Sequence, residues 1–313
     1  MENFLLSLNV VLPLFLEMAL GYAIRCFRLV DEPTLRKMNN VVFRVFLPIL
    51  LFYNVISTDI GTAFNGPLML TAVLFVLGEF ALCMALVPLL EKENSRRGVL
   101  IQGIMRSNFV IFGLPVLVSL CGEGSNTGAV ALVIAVVVPM FNALSVTALE
   151  IYRGGKPNPL KILKSVATNP LILASLLGIV LLLLGVKLPN FLQKPVADLS
   201  KMATPLALVI LGAEFNFGQV RKCVRQLVIG VSGRLVVMPL IFLTIAVLLG
   251  FRGEELIALL VMLAAPPAVS SFTMAQQMDG DSELAAGLVV FGSSLAVVTM
   301  FIWIFVLKSM ALI

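Results

Sequence analysis

Apolar residues fill this chain in long blocks separated by short polar clusters, and each block approaches the ~20 residues that an α-helix needs to cross a bilayer. Ten such blocks follow one another, at about 5–24, 36–56, 66–90, 98–120, 128–150, 167–186, 199–217, 227–249, 255–277 and 284–307. The pattern predicts an all-α membrane protein with ten transmembrane helices. Two blocks carry helix breakers near their centres. The fourth holds Arg106-Ser107-Asn108-Phe109-Val110-Ile111-Phe112-Gly113-Leu114-Pro115-Val116, and the ninth, about 150 residues later, holds Ala264-Ala265-Pro266-Pro267-Ala268. Proline lacks an amide hydrogen and clashes with the preceding turn, so breaks are expected at Gly113 and Pro115 and again at Pro266 and Pro267. Freed backbone groups are tolerated at membrane depth only inside protein or beside a water-filled cavity. Two interrupted helices in corresponding positions of two halves point to a transport site near the midplane.

The polar connections set the expected topology. Those after spans 1, 3, 5 and 7 carry four, three, four and three Lys or Arg residues; those after spans 2 and 4 carry none, that after span 6 has Lys187 and Lys194 with Lys201 just inside span 7, and that after span 8 has Arg252. Basic connections face the cytoplasm, which places both termini on the extracytoplasmic side. The turn after span 9, Asp279 to Glu283, falls on the cytoplasmic side although it is acidic; acidic residues weigh little in this rule. Five spans per half make span 6 run opposite to span 1. Residues 1–150 and 166–313 are therefore expected to form two inverted five-helix repeats joined by a cytoplasmic linker, 151–165. Leu35-Arg36-Lys37-Met38 and Leu199-Ser200-Lys201-Met202, at the heads of spans 2 and 7, carry a weak trace of that repeat.

Composition sharpens the class. Of 313 residues 60% are hydrophobic and only 12% charged, at a mean hydropathy of +1.07; soluble chains are about 25% charged. Histidine is absent, which removes the usual general base and a common zinc ligand. Without histidine there is no Ser–His–Asp or Cys–His set, and no Gly-x-x-x-x-Gly-Lys-Ser/Thr loop is present, which disfavours ATP-driven transport by this chain alone. Cys26, Cys83, Cys121 and Cys223 show no Cys-x-x-Cys spacing. The net charge of +5 sits at span ends and forms no nucleic-acid patch. No Lys or Arg precedes Arg25, so the first block is expected to be a retained span.

Charges inside spans are costly and therefore informative. Glu17, Glu79, Arg106, Glu214 and Arg234 are the candidates, with Glu79 and Arg234 deepest; each is either a coupling residue or a polar contact between helices. Each break leaves orphan amides on one half-helix and orphan carbonyls on the other. The amide end favours an anion and the carbonyl end a cation. Asn108, Ser270, Ser271, Thr273 and Gln276 would add neutral donors there, while Asn54 and Asn142 are weaker candidates as interhelical glue. The expected substrate-binding set is Asn108, Gly113, Pro115, Pro266, Pro267, Ser271 and Gln276, with Glu79, Arg234, Arg106 and Glu17 as coupling or structural charges. No metal or organic cofactor is expected; a coupling ion, H+ or Na+, stays open.

The chain resembles the auxin efflux carrier family over essentially its whole length. The resemblance rests on Leu47-Pro48 with Leu51-Phe52, on Asn108 through Gly113-Leu-Pro115, on Pro205-Leu-Ala-Leu-Val-Ile-Leu-Gly-Ala213 and on Ala265-Pro266-Pro267-Ala268. It implies a bacterial inner-membrane carrier of small organic anions, mono- or dicarboxylates, in which broken helices 4 and 9 cross. It further implies a scaffold of spans 1, 2, 6 and 7, a transport part of spans 3–5 and 8–10, elevator-like movement, and homodimers through the scaffold. Asn108, Pro115, Pro266 and Pro267 match the family's crossover signature, and Glu79 is similar in location to an acidic position in the third helix of plant carriers. The short linker departs from the plant members, whose long regulatory loop is missing. A non-transporting membrane receptor or structural protein is the alternative, and it leaves the paired breaks unexplained.

Overall fold

Local caps turn the apolar blocks into helices with defined starts. Asn65 accepts from the Leu68 amide, Asn169 from Leu171 and Asp281 from Leu284, and a proline stands in the first turn after both Asn65 and Asn169. The structure, a computed structural model, describes all residues except 1, 58–64, 114–115, 118–119, 121–126, 155–158, 187, 217 and 219–220. The helices are α1 (Glu2–Cys26), α2 (Glu32–Ile56), α3 (Gly66–Leu90), α4 (Asn94–Met105), α5 (Thr127–Ile151) and α6 (Pro159–Ala167). After them come α7 (Pro170–Leu183), α8 (Asn190–Glu214), α9 (Val224–Leu248), α10 (Gly253–Ala264), α11 (Ser270–Gln277) and α12 (Ser282–Ser309). Apart from one isolated β-bridge, the regular structure of the described residues is helical throughout.

Among the described residues six helices are long and apolar enough to cross a membrane: α2, α3, α5, α8, α9 and α12. The protein is therefore a multi-pass membrane protein. The 14 residues of α7 reach only about 21 Å at 1.5 Å per residue, and α4 and α10, with 12 residues each, are the first halves of the two interrupted blocks.

Prolines inside α2 and α9 are accommodated by widened π-turns, Val42–Phe46 and Gly233–Val237, each followed two residues later by Pro48 or Pro239. The extra residue in the turn relieves the clash that the ring would make with the carbonyl four residues back. In α9 that carbonyl belongs to Leu235. It accepts a hydrogen bond from the Trp303 indole at 3.0 Å, which ties α9 to α12.

Backbone contact, more than side-chain bulk, joins α1 to α8, the most extensive helix pair in the fold. A Cβ placed on Gly21 would lie 1.9 Å from the Val209 carbonyl oxygen, and one on Gly212 would lie 2.0 Å from the Met18 oxygen. Glycines at such an interface let two helices approach without intervening side chains. Gly178 of α7 similarly faces Phe52 and Val55 of α2. Helix α10 is enclosed, with residues 256–264 all buried. A helix apolar on every face is stable only when packed all round.

The acidic turn before α12 lies against basic connections. Arg153 donates to Asp279 at 2.8 Å and Arg96 donates to Asp281 at 3.0 Å. The turn therefore shares a face with the connections that follow α3 and α5. On that face Glu91 closes α3. Its carboxylate accepts from the backbone amides of Lys92 and Glu93 at 2.7 and 2.9 Å and from Gln226 at 2.6 Å. Burial pushes this carboxyl up, but those hydrogen bonds and nearby Arg96 outweigh it, and it titrates below the ordinary glutamate range. A depressed folded-state pKa contributes stability above the unfolded value of ~4.3 and loses it as pH falls through the folded value. Glu91→Gln is thus expected to melt below the native protein at pH 7, with the gap closing as pH falls below about 4. Melting curves of both proteins in detergent check this, and a gap that widens on acidification refutes it.

Candidate functional site

The two interruptions meet. Helix α4 ends at Met105, where Arg106 turns extended (φ −85, ψ 115), and α10 ends at Ala264, where Ala265 does the same (φ −66, ψ 151). The freed stretches run antiparallel and bridge Ser107 to Pro267. The Asn108 amide donates to the Pro266 carbonyl at 2.8 Å, and the Ala268 amide donates to the Arg106 carbonyl at 3.3 Å. Each break thereby satisfies backbone groups that the other leaves open.

The second break falls where Pro266 and Pro267 place it. The first does not begin at Gly113 and Pro115 but at Arg106–Asn108, several residues earlier. Ser107 and Asn108 are short polar residues that compete with the helix for backbone partners, and the bridge to Pro267 rewards their extended conformation. Residues Phe109–Gly113 form one widened turn. A Cβ on Gly113 would lie 2.8 Å from the Phe109 ring and 3.3 Å from Val261, so this glycine lets the turn close against α10. Pro115 lies outside the described residues.

A cleft of about 600 Å³, counted to the atom surfaces and including its open mouth, lies at the crossing. Its polar lining comes from Arg106, Ser107 and Asn108 of the first break, Ser270 of the second, and Asn54, Asn142 and Thr204 of α2, α5 and α8. Arg106 is buried, 5% exposed. One terminal nitrogen donates to Asn142 Oδ1 at 2.6 Å and to Ser270 Oγ at 2.7 Å, and the other to the Met274 sulfur. No carboxylate pairs with it among the described residues. Ser107 Oγ and Asn108 Nδ2 are buried and have no partner among the described residues. A buried donor without an acceptor in a native fold calls for a ligand or water. Three consecutive residues that carry a guanidinium, a hydroxyl and an amide thus line one cleft.

The remaining candidates separate into other places. Glu79 of α3 and Arg234 of α9 are both fully buried and face each other at 3.7 Å. The Arg234 guanidinium donates to the Ile104 and Met105 carbonyls at 3.2 Å each and to the Met262 and Ala265 carbonyls at 2.8 Å each. It therefore touches the carbonyl ends of both α4 and α10. Gln276, at the far end of α11, donates to Glu214 and accepts from Asn39, while Gln277 accepts from Asn40 at 2.9 Å. These amides join α11 to α2 and α8 away from the cleft. Gly113, Pro266, Pro267, Ser271 and Gln276 are not among the described lining residues, and Glu17 of α1 joins neither polar cluster. Thr204 was not singled out in the sequence; its one signal was a hydroxyl beside Pro205 within an apolar block.

An uncharacterized transporter of Methanocaldococcus jannaschii is 24% identical over 308 residues, covering 96% of this chain and 98% of its own. The uncharacterized transporter YfdV of Escherichia coli is 25% identical over 320 residues, covering 95% and 96% of the two chains. A protein of Rhizobium meliloti named "Putative malonate transporter" is 26% identical over 317 residues, or 97% of each chain. The sequence pattern of the family described as membrane transport protein matches residues 6–304. That match runs through both interrupted helices, and the chain belongs to the membrane transport protein family, the family of the auxin efflux carriers.

Proposed function

We propose that this protein is a secondary carrier of small organic anions, mono- or dicarboxylates, that binds its substrate at the crossing of the two interrupted helices. The observation that carries the reading is the run Arg106-Ser107-Asn108: a buried guanidinium with no carboxylate opposite it, followed by two buried donors without acceptors, all lining one cleft. A charge in this setting costs about 2.5–3.5 kcal/mol at a bilayer centre, and a carboxylate ligand offsets that cost through charge-assisted hydrogen bonds. The name of the Rhizobium relative supports a carboxylate.

The architecture we propose has ten crossings in two inverted repeats, 1–150 and 166–313, with both termini outside a bacterial inner membrane. The acidic turn held by Arg96 and Arg153 supports that orientation, because it joins the basic face despite its sign. The α1–α8 and α2–α7 contacts support a scaffold of spans 1, 2, 6 and 7, against which spans 3–5 and 8–10 move as an elevator. Dimerisation through that scaffold belongs to the same reading.

Reconstitution in liposomes tests it. Uptake of labelled C3–C5 mono- and dicarboxylates is expected to saturate, and Asn108→Ala is expected to lower uptake at low substrate about 10-fold, the worth of one hydrogen bond to a charged group. Absence of uptake under imposed pH, sodium and voltage gradients, with folded protein present, overturns the carrier reading. Saturable uptake indifferent to Asn108→Ala removes the site from the crossing.

A further inference from the structure

A helix that stops inside a membrane leaves its last carbonyls without amide partners and carries about half a negative charge at that end. Here two such ends, those of α4 and α10, arrive at one place. In carriers built from interrupted helices, carbonyls of this kind are where a coupling cation is coordinated. In this protein the oxygens are already engaged. The guanidinium of Arg234 donates from Nε to Ala265 and from one terminal nitrogen to Met262, both at 2.8 Å, and from the other to Ile104 and Met105 at 3.2 Å. Its planar fork of five donors suits several carbonyls at once, which a point charge does not. The backbone is shaped for this reach. Arg234 sits in the widened turn Gly233–Val237, and a Cβ on Gly233 would already lie 3.2 Å from Ile104. The Glu79 side chain, equally buried, lies 3.7 Å from this guanidinium.

We infer that Arg234 is a tethered cation standing in the place of a free coupling ion, so that no sodium ion binds at the junction of α4 and α10. The inference rests on the carrier reading only for its transport consequence, namely uptake that is unchanged when choline replaces sodium. The site itself is tested without substrate. Purified native protein and Arg234→Ala are melted in detergent while sodium chloride replaces choline chloride at constant ionic strength, and again with millimolar guanidinium chloride added to the choline buffer. The native midpoint is expected to be the same in sodium and choline. Arg234→Ala is expected to melt lower in choline and to recover part of that loss saturably with sodium or guanidinium, because removing the side chain opens a cation site. A purely packing role for Arg234 predicts no such recovery. Saturable stabilisation of the native protein by sodium overturns the inference, as does an Arg234→Ala protein that no small cation restores.

Where Arg234→Ala does not fold, Arg234→Lys replaces it. An ammonium reaches fewer of the four carbonyls, so a lower midpoint is expected, still indifferent to sodium; a saturable sodium response overturns the inference there too. None of these titrations contains a carboxylate. A failed uptake assay therefore sinks the carrier reading and leaves this site standing, and a failed titration does the reverse.

Discussion

Arg106→Ala is expected to lower carboxylate uptake at low substrate ~30-fold or more while the protein still folds and inserts. Truncating one partner of a buried, hydrogen-bonded charge pair costs about 2–5 kcal/mol, which is ~30-fold or more in uptake at low substrate. The fold tolerates the loss because the partners of Arg106 are Asn142, Ser270 and Met274, all neutral, so no charge is stranded. Arg106→Lys keeps the charge but has a single nitrogen and cannot fork between the Asn142–Ser270 pair and Met274; it is expected to fall between native and alanine. The same liposome assay, with circular dichroism to confirm folding, measures all three. Uptake by Arg106→Ala within twofold of native would place anion recognition elsewhere.

The second large effect concerns stability. Gly21→Ala and Gly212→Ala are each expected to lower the melting midpoint by roughly 2–5 °C, from an overpacking cost of about 1–3 kcal/mol and about 1.5 °C per kcal/mol for a chain of 313 residues. The added methyl would sit about 2 Å from a carbonyl oxygen of the facing helix in either case. No rotamer relieves that clash, so α1 and α8 must separate. Gly287→Ala is the control. Its methyl meets the tip of Leu227 at 2.7 Å, and a leucine can rotate away. Thermal denaturation in detergent ranks the three, and equal small shifts for all would mean that α1 and α8 are not in backbone contact.

What the sequence disclosed and what it hid follow from the range of each interaction. Apolar block length places α2, α3, α5, α9 and α12 within a few residues, because burial in lipid depends on local composition alone, whereas α8 begins at Asn190, well before its block at about 199. Pro266 and Pro267 mark the second break for the same reason, since a missing amide acts within one turn. The first break was legible as a region but not as a position. Arg106–Asn108 stays extended through a bridge to residues about 160 positions away, and no local pattern encodes that partner. Arg234 was visible as a buried charge, but its four acceptors belong to two other elements. Gln276 looked close to the break in number. Six residues of helix beyond Ser270 carry it about 9 Å away, to Asn39 and Glu214.

Arg106 has an electrical consequence as well. A positive charge with no carboxylate opposite feels the membrane potential, which acts with about 2.3 kcal/mol per elementary charge per 100 mV over a full crossing. Under the proposed movement the empty carrier bears that charge, a bound monocarboxylate cancels it, and a bound dicarboxylate reverses it. Voltage therefore biases the return of the empty form when the cargo is a monoanion. With a dianion as cargo it pushes the empty and loaded forms in opposite directions. On the proposed reading, the side chain that holds the anion thus also decides which half of the cycle the cell's electrical gradient speeds and which it slows.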